Sequence, residues 1–162
     1  MGYIRDLLNN YDGKVICIGV GVIVINENDE VLLVKRKDNN LWDIPGGSVE
    51  LYESLDMCAS RELKEEVGIS VNPFELEFNG ITFDPITVNK EGKDIEIFSV
   101  SFSVRVNEVD IKLNESELVD YNWIRKSDVI DLYGDKLTKY SLYALSLLNK
   151  RDRKGESICY VF

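Results

Sequence analysis

The chain has 162 residues, of which 44% are hydrophobic and 30% charged, proportions typical of a single globular domain large enough to bury a core. Its 29 acidic and 19 basic residues give a net charge of −10, which disfavours binding to the phosphate backbone of a nucleic acid. There is no histidine, so imidazole is excluded as a metal ligand, nucleophile or general base. Any acid–base or metal chemistry must therefore use other groups, above all carboxylates.

The first 14 residues are expected to be a short N-terminal extension, within which residues 3–10 could form a helix. The extension lacks the apolar core of a signal peptide, and the longest apolar run, residues 15–25, is too short to span a bilayer. The three cysteines are far apart and argue against a disulfide framework or a zinc site; they are Cys17, Cys58 and Cys159. We therefore expect a cytoplasmic protein without a membrane partner, present as a monomer or a homodimer.

Hydrophobic patterning predicts two strands and then a glycine-rich connection. Residues 15–25 are rich in Val and Ile and predict a buried strand. Residues 26–29 are polar and predict a turn into a second strand at 31–35, which together form a hairpin. Residues 39–47 end in Pro45-Gly46-Gly47 and predict a loop, or a short strand followed by a tight turn. The two glycines would allow a positive φ and a close approach to the next helix.

A helix is predicted between Ser54, a favourable N-cap, and Gly68, a favourable C-terminal stop. Asp56 lies in its first turn, where the helix dipole favours a negative charge. Apolar residues recur at every fourth position and predict a stripe that faces the core, with Cys58 beside it; they are Leu55, Ala59, Leu63 and Val67.

The second half of the chain predicts three more strands and a second long helix. The strands are expected at residues 74–83, 95–106 and 121–124, and the helix at 137–149. Residues 158–162 could add an edge strand. Because residues 95–106 carry apolar groups on both faces, the sheet should be covered on both sides. The prediction is one α/β (α+β) domain over the whole chain, an α/β/α sandwich with a mixed sheet.

The first long helix also has an acidic face. Glu62, Glu65 and Glu66 are spaced i, i+3 and i+4, so their side chains converge on one patch. Each like-charged i, i+4 pair costs a few tenths of a kcal/mol, a repulsion that a bound cation would relieve. Hard oxygen ligands suit Mg²⁺ or Mn²⁺, and Mg²⁺ is typically shared between carboxylates and substrate phosphates. The acidic face beside a glycine turn therefore indicates metal-dependent phosphate chemistry.

The segment from Gly47 to Ile69 resembles the Nudix box, Gly-x5-Glu-x7-Arg-Glu-U-x-Glu-Glu-x-Gly-U, in which U is a bulky aliphatic residue. Every fixed residue and both aliphatic positions are present, which makes this a specific motif. The preceding Trp42-Asp-Ile-Pro-Gly-Gly resembles the usual lead-in, and the likeness in strand order covers about residues 15–132. Tyr52 departs from the small residue that many members carry before the first glutamate of the box, so the loop could differ there.

The resemblance implies a hydrolase that cuts a diphosphate linkage with Mg²⁺ or Mn²⁺ by polarising a water that attacks one phosphorus. Glu53 and Arg61 would hold the metal ligands in position without binding the metal themselves. The residues that it implies as metal ligands are Glu62, Glu65, Glu66 and Gly46.

The general base varies within the family between a glutamate of the box and one in a distant loop. Glu117 is the best distant candidate because it precedes the strand that contains Trp123. Glu115 and Asp120 are its rivals.

Several side chains are candidates for substrate contact. Lys35 and Arg36 follow a strand and could contact phosphate or base, although cations at strand ends are common on any surface. Trp42 and Phe83 could stack on a nucleobase, and burial in the core is the alternative. Gly46 and Gly47 are further candidates for substrate binding. Pro85 resembles a proline of ADP-ribose-cleaving relatives.

Three functions remain open at this point. The leading one is a nucleotide pyrophosphohydrolase that acts on a nucleoside diphosphate linked to another moiety. The second is a domain that senses a nucleotide without turnover. The intact glutamates of the box argue against it, because sensors in the family often lose them. The third is an isoprenoid-diphosphate isomerase, which the absence of histidine argues against.

Overall fold

The computed structural model describes residues 15–84, 95–107 and 109–154. The helix predicted for residues 3–10, the edge strand predicted for 158–162 and Pro85 lie outside these ranges. Within them the chain forms a mixed sheet of seven strands and three α-helices. No helix in these ranges has both the length and the apolar character needed to cross a bilayer. The strands are β1 (Val15–Ile25), β2 (Glu30–Arg36), β3 (Trp42–Asp43), β4 (Gly46–Ser48), β5 (Glu77–Asp84), β6 (Ile95–Arg105) and β7 (Leu118–Arg125), and the helices are α1 (Leu55–Val67), α2 (Val129–Tyr133) and α3 (Lys139–Lys154).

The strands β1 and β2 form the predicted hairpin and then take different partners. They pair where Ile25 lies opposite Val31, next to the polar turn. Farther from the turn, β1 pairs with β4 on one side and runs parallel to β6 along its whole length on the other. β2 pairs instead with β3 and β7, and β5 pairs with β6. The short strand β4, which carries both glycines of the Pro-Gly-Gly segment, is thereby held against β1.

Two hydrophobic cores lie on opposite sides of this sheet. Because successive side chains of a strand point to opposite faces, Val22 and Val24 of β1 enter one core while Ile23 and Ile25 enter the other. Helix α1 covers the first core with Ala59, Leu63 and Val67. Helix α3 covers the second with Ala144, Leu145 and Leu148. The predicted α/β/α sandwich is therefore confirmed.

Helix α1 begins and ends where the sequence predicts, but its N-terminus is capped differently. Ser54 has the extended backbone of an N-cap residue, yet its hydroxyl donates to the carboxylate of Asp56 instead of accepting from a helix amide. At the other end Gly68 has a φ of 75°, and its N–H donates to the carbonyl of Lys64. This left-handed conformation is the one that glycine adopts readily.

Strand β5 begins later than predicted, because residues 73–75 form a 3₁₀ turn. Pro73 suits the first position of this turn, where no amide donor is needed. The side chain of Asn72 accepts from the amide of Phe74, while the carboxylate of Glu75 accepts from the amide of Asn72. These local hydrogen bonds compete with the strand that the apolar pattern predicted.

Strand β7 begins earlier than predicted and contains a bulge. Lys35 pairs with Asp120 and the next residue, Arg36, pairs with Leu118, so Val119 is the additional residue on β7. A bulge of this kind changes the direction in which neighbouring side chains point.

Candidate active site

A cleft of about 540 Å³ lies beside the acidic face of α1. Glu62, Glu65 and Glu66 form one wall, and Glu117 from the loop before β7 also lines it. The floor is made by β1 and β6, on which Gly19 lies opposite Ser99. Four of the predicted acidic site residues are thus brought to one cavity.

Arg61 joins the acidic residues of the box. Its Nε and Nη2 donate to the two carboxylate oxygens of Glu53, at 2.8 and 3.0 Å, in a bidentate pair. Its Nη1 donates to Glu62 at 2.8 Å and to Glu65 at 3.2 Å. The hydrogen bonds from Arg61 lower the pKa of Glu53, which keeps this carboxylate charged. Glu53 is thus linked through Arg61 to Glu62 and Glu65.

Glu66 is the buried member of the acidic face, with 5% of its surface exposed. It accepts a hydrogen bond of 2.9 Å from the amide of Gly46. Burial raises its pKa to about 8, and the negative charges of Glu62 and Asp43 act in the same direction. Burial likewise raises the pKa of Glu62. These carboxylates lack full compensation for their charge, so the site favours either a proton or a cation.

Gly46 and Gly47 are required by close packing and not by a positive φ. Among the described glycines only Gly68 has a positive φ, so Gly46 and Gly47 do not use the freedom that glycine gives. A Cβ on Gly47 would lie 2.3 Å from Oε1 of Glu62, and one on Gly46 would lie 2.2 Å from the carbonyl oxygen of Val20. The predicted close approach of β4 to the helix is confirmed.

The donor atoms of this site fit a divalent cation, because they are hard carboxylate oxygens with incompletely compensated charge. Within the described ranges, however, no three acidic side chains already form a cage for a metal. The Nη1 group of Arg61 lies between Glu62 and Glu65 and holds one oxygen of each. Arg61 therefore competes with a bound metal for these two oxygens. Gly46, the fourth implied ligand, contacts Glu66 through its amide.

Lys35 and Arg36 have different surroundings, because successive side chains of a strand point to opposite faces. Arg36 lines the cleft, and hydrogen bonds to Asp38 are the main cause that raises its pKa. The Nζ atom of Lys35 lies 5.9 Å from the ring of Trp42, which packs edge-on against Tyr133 in the core under α3. Of the proposed substrate contacts, therefore, Arg36 lies in the cleft, whereas Lys35 and Trp42 are not among the described residues that line it.

Glu117 is better placed than its rivals to act at the acidic face. Its negative charge contributes to the raised pKa of Glu62. Glu115 contacts Lys37 through its backbone carbonyl, and Asp120 lies opposite Lys35 in the sheet; neither is among the described residues that line the cleft. Phe83 of β5 lies opposite Phe98 of β6. The side chain of Phe83 lies outside the described part of the structure.

Asp43 is a cleft residue that the sequence did not reveal. Its Oδ1 accepts hydrogen bonds from the hydroxyls of Thr138 and Ser141 at the start of α3. Its Oδ2 lies 3.9 Å from Nη1 of Arg36, and burial raises its pKa. The donors are nearly a hundred positions away, so no local pattern could have identified them. The one available signal was the position of Asp43 inside the lead-in to the box.

Comparison with known proteins agrees with this architecture. The family model described as the NUDIX domain matches residues 16–145. The chain is 31% identical over 128 residues to an RNA pyrophosphohydrolase of Pelagibacter ubique (strain HTCC1062), covering 72% of this chain and 81% of that protein. It is 39% identical over 59 residues to a MutT-like protein of Streptomyces ambofaciens, covering 36% of this chain and 38% of that one. A crystal structure of the MutT protein from Methanosarcina mazei Go1 superimposes with a TM-score of 0.73 and 25% identity, over 89% of this chain and 100% of that chain.

The fold, the complete box and these matches define an enzyme that hydrolyses pyrophosphate bonds. The chain belongs to the Nudix family.

Proposed function

We propose that this enzyme uses Mg²⁺ or Mn²⁺ to hydrolyse the diphosphate linkage of a small nucleotide in which a nucleoside diphosphate is joined to a further group. The observation that carries the proposal is the buried Glu66, which faces the same cleft as Glu62, Glu65 and Glu117. A buried carboxylate next to other carboxylates is costly in its charged form unless a cation is bound. The name of the RNA pyrophosphohydrolase relative supports a substrate with a nucleotide diphosphate linkage.

Glu62, Glu65 and Glu66 are the residues that would hold the metal. A bound Mg²⁺ or Mn²⁺ would neutralise the diphosphate oxygens and polarise the attacking water. Arg61 keeps Glu53 charged and, through Nη1, controls the orientation of Glu62 and Glu65. Arg36 also lines the cleft and carries a positive charge.

Glu117 is the proposed general base. It lines the cleft from a separate loop, so it could accept a proton from water while the glutamates of α1 hold the metal. The oxygen of water bonds to one phosphorus, the bridging oxygen leaves with the other phosphoryl group, and the proton passes to Glu117. Proton transfer to a positioned carboxylate is typically worth about 10²–10⁴ in rate.

The test is a substrate panel assayed for phosphate-containing products with Mg²⁺, with Mn²⁺ and with a chelator. It contains nucleoside triphosphates, ADP-ribose, dinucleoside polyphosphates, nucleotide sugars and CDP-alcohols. We expect turnover of at least one substrate that requires the metal and that decreases about tenfold or more in Glu117→Gln. Absence of turnover of every substrate with either metal would overturn the proposal in favour of a nucleotide sensor.

A further inference from the structure

The turn that carries Glu117 is formed by Asn114. The backbone carbonyl of Asn114 accepts from the amides of Glu117 and Leu118, both at 3.0 Å. Its side-chain Oδ1 accepts from the amide of Ser116 at 3.2 Å and from the hydroxyl of the same residue at 2.6 Å. An asparagine that accepts from the amide two positions further on is typical of a tight turn. The conformation of residues 115–117 therefore depends on the side chain of Asn114.

Asn114 is also bonded to the C-terminal end of α1. The last carbonyls of an α-helix have no partner within the helix, and in α1 the loop before β7 supplies two donors for them. The amide of Lys112 donates to the carbonyl of Val67 at 3.0 Å. The amide of Asn114 donates to the carbonyl of Glu66 at 2.9 Å, while the carboxylate of Glu66 accepts from the amide of Gly46. The turn therefore begins at the buried glutamate of the acidic face.

A second set of contacts fixes the other side of the turn. The amide of Lys37, which follows β2, donates to the carbonyl of Glu117 at 2.8 Å. The Nζ atom of Lys37 donates to the carbonyl of Glu115 at 3.1 Å. The side chain of Glu117 is exposed and lines the cleft, where its charge contributes to the raised pKa of Glu62. Hydrogen bonds to the backbone, and not burial of the side chain, therefore determine where this carboxylate lies.

We infer that Asn114 is a positioning residue for hydrolysis, because its turn fixes Glu117 relative to the acidic face of α1. The inference rests on the proposed function, in which Glu117 is the general base. A base must lie within hydrogen-bond reach of the attacking water, so a loosened turn would slow proton transfer without changing the metal ligands. Alanine at position 114 is a selective test, since the backbone hydrogen bonds of this residue remain possible while both hydrogen bonds to Ser116 are lost.

The first experiment measures kcat and KM for wild type, Asn114→Ala, Asn114→Asp and Asn72→Ala at saturating Mg²⁺, with the best substrate of the panel. We expect Asn114→Ala to lower kcat about fivefold, while KM and the Mg²⁺ concentration for half-maximal rate change less than about twofold. Asn114→Asp should restore most of the rate, since a carboxylate oxygen accepts the same two hydrogen bonds.

Asn72→Ala is the matched control for loss of an asparagine in a turn. Its Oδ1 also accepts from an amide two positions further on, at 3.1 Å, but Asn72 is not among the described residues that line the cleft. Its kcat should equal that of wild type. Wild-type kcat in Asn114→Ala, or an equal loss in Asn114→Asp or Asn72→Ala, would overturn the inference.

Combination with Glu117→Gln tests whether Asn114 acts through this carboxylate. The double variant should have a kcat within about twofold of Glu117→Gln alone, because no base remains to be positioned. Losses that multiply in the double variant overturn the inference. If Glu117→Gln loses activity and Asn114→Ala does not, the inference fails while the proposed function stands.

Amide hydrogen exchange, followed by NMR on the metal-free protein, tests the turn without any turnover. The amides of Glu117 and Leu118 should exchange about threefold or more faster in Asn114→Ala than in wild type, and Asn114→Asp should restore their protection. The amide of Phe74, which donates to Asn72, should be unaffected. Unchanged exchange at Glu117 and Leu118 overturns the inference. If wild type turns over no substrate but exchange changes as expected, only the proposed function fails.

Discussion

Gly47 and Glu62 are packed so closely that a single methyl group on Gly47 would lie 2.3 Å from Oε1 of Glu62. The neighbouring Gly46 is confined by backbone, since a methyl group there would lie 2.2 Å from the carbonyl oxygen of Val20. One glycine of the pair therefore makes room for the side chain of Glu62, and the other makes room for the pairing of β4 with β1.

This difference predicts that alanine at Gly47 affects mainly metal affinity, whereas alanine at Gly46 affects mainly stability. In Gly47→Ala the end of the Glu62 side chain can move away, so the fold should persist while metal affinity falls about tenfold or more. In Gly46→Ala the strand itself must shift, at a cost of about 1–3 kcal/mol in the free energy of unfolding. Urea unfolding and a Mg²⁺ titration of both variants measure these effects. Unchanged metal affinity in Gly47→Ala would contradict the proposed role of Glu62.

The buried Glu66 predicts how the stability of the metal-free protein depends on pH. Burial raises its pKa from 4.5 to about 8, so the folded state binds more protons than the unfolded state between these values. The free energy of unfolding should therefore fall as the pH rises through this window. Glu62 and Asp43, whose pKa values burial also raises, act in the same direction. We expect a decrease of roughly 1–3 kcal/mol between about pH 6 and 8 in urea unfolding.

The control for this pH dependence is Glu66→Gln, which keeps a carbonyl oxygen for the amide of Gly46 but does not titrate. Its unfolding should depend less on pH than that of the wild type. Since a metal must displace the proton on Glu66, Mg²⁺ should raise the melting temperature more at about pH 8 than at about pH 6. A wild-type stability that rises over this range would contradict the assignment.

The backbone conformation of Tyr52 predicts that a substitution at this position of the box loop stabilises the protein. Its φ is 67° and its side chain is fully exposed, so it adopts a left-handed conformation without a packing contribution from the ring. A side chain in this conformation costs roughly 1–2 kcal/mol, only partly offset by the greater freedom of glycine when unfolded. Tyr52→Gly should raise the free energy of unfolding by about 0.5–1 kcal/mol. Tyr52→Ala retains a Cβ and should give no such gain; equal values for the two variants would contradict the explanation.

The hydrogen bonds of Arg61 predict that even a conservative substitution of this residue will disturb the site. A lysine cannot donate two parallel hydrogen bonds to Glu53 while a third nitrogen contacts Glu62. Arg61→Lys should lower the free energy of unfolding by about 1–3 kcal/mol and reduce kcat. The matched control is Arg105→Lys, because Arg105 forms an exposed ion pair with Asp29 and should tolerate lysine. Chemical unfolding and initial rates of both variants provide the comparison.

The features that the sequence predicted well depend on residues near each other in the chain. The spacing of Glu62, Glu65 and Glu66 on one helix, the stop at Gly68 and the hairpin between β1 and β2 all follow from local periodicity and turn chemistry. The two-sided apolar pattern of residues 95–106 similarly indicated a sheet between two layers.

The features that it did not predict depend on long-range contacts or on competing local hydrogen bonds. The bulge at Val119 arises where β7 pairs with β2, and Asp43 accepts hydrogen bonds from hydroxyls at the start of α3. The hydroxyl of Ser54 could accept from a helix amide or donate to a nearby carboxylate, and it donates to Asp56. None of these outcomes is encoded in a periodic pattern, because each depends on which segments meet in the folded chain.

The central claim is that the acidic face of α1 holds the metal that drives hydrolysis. The most direct test is the initial rate of product release as a function of Mg²⁺ concentration for wild type, Glu66→Gln and Glu27→Gln, with the best substrate of the panel. Glu27 is exposed and lies outside the catalytic cleft, so its variant controls for loss of a carboxylate. We predict a rate about 10² or more below wild type in Glu66→Gln and an unchanged rate in Glu27→Gln. Wild-type activity in a folded Glu66→Gln would contradict the claim.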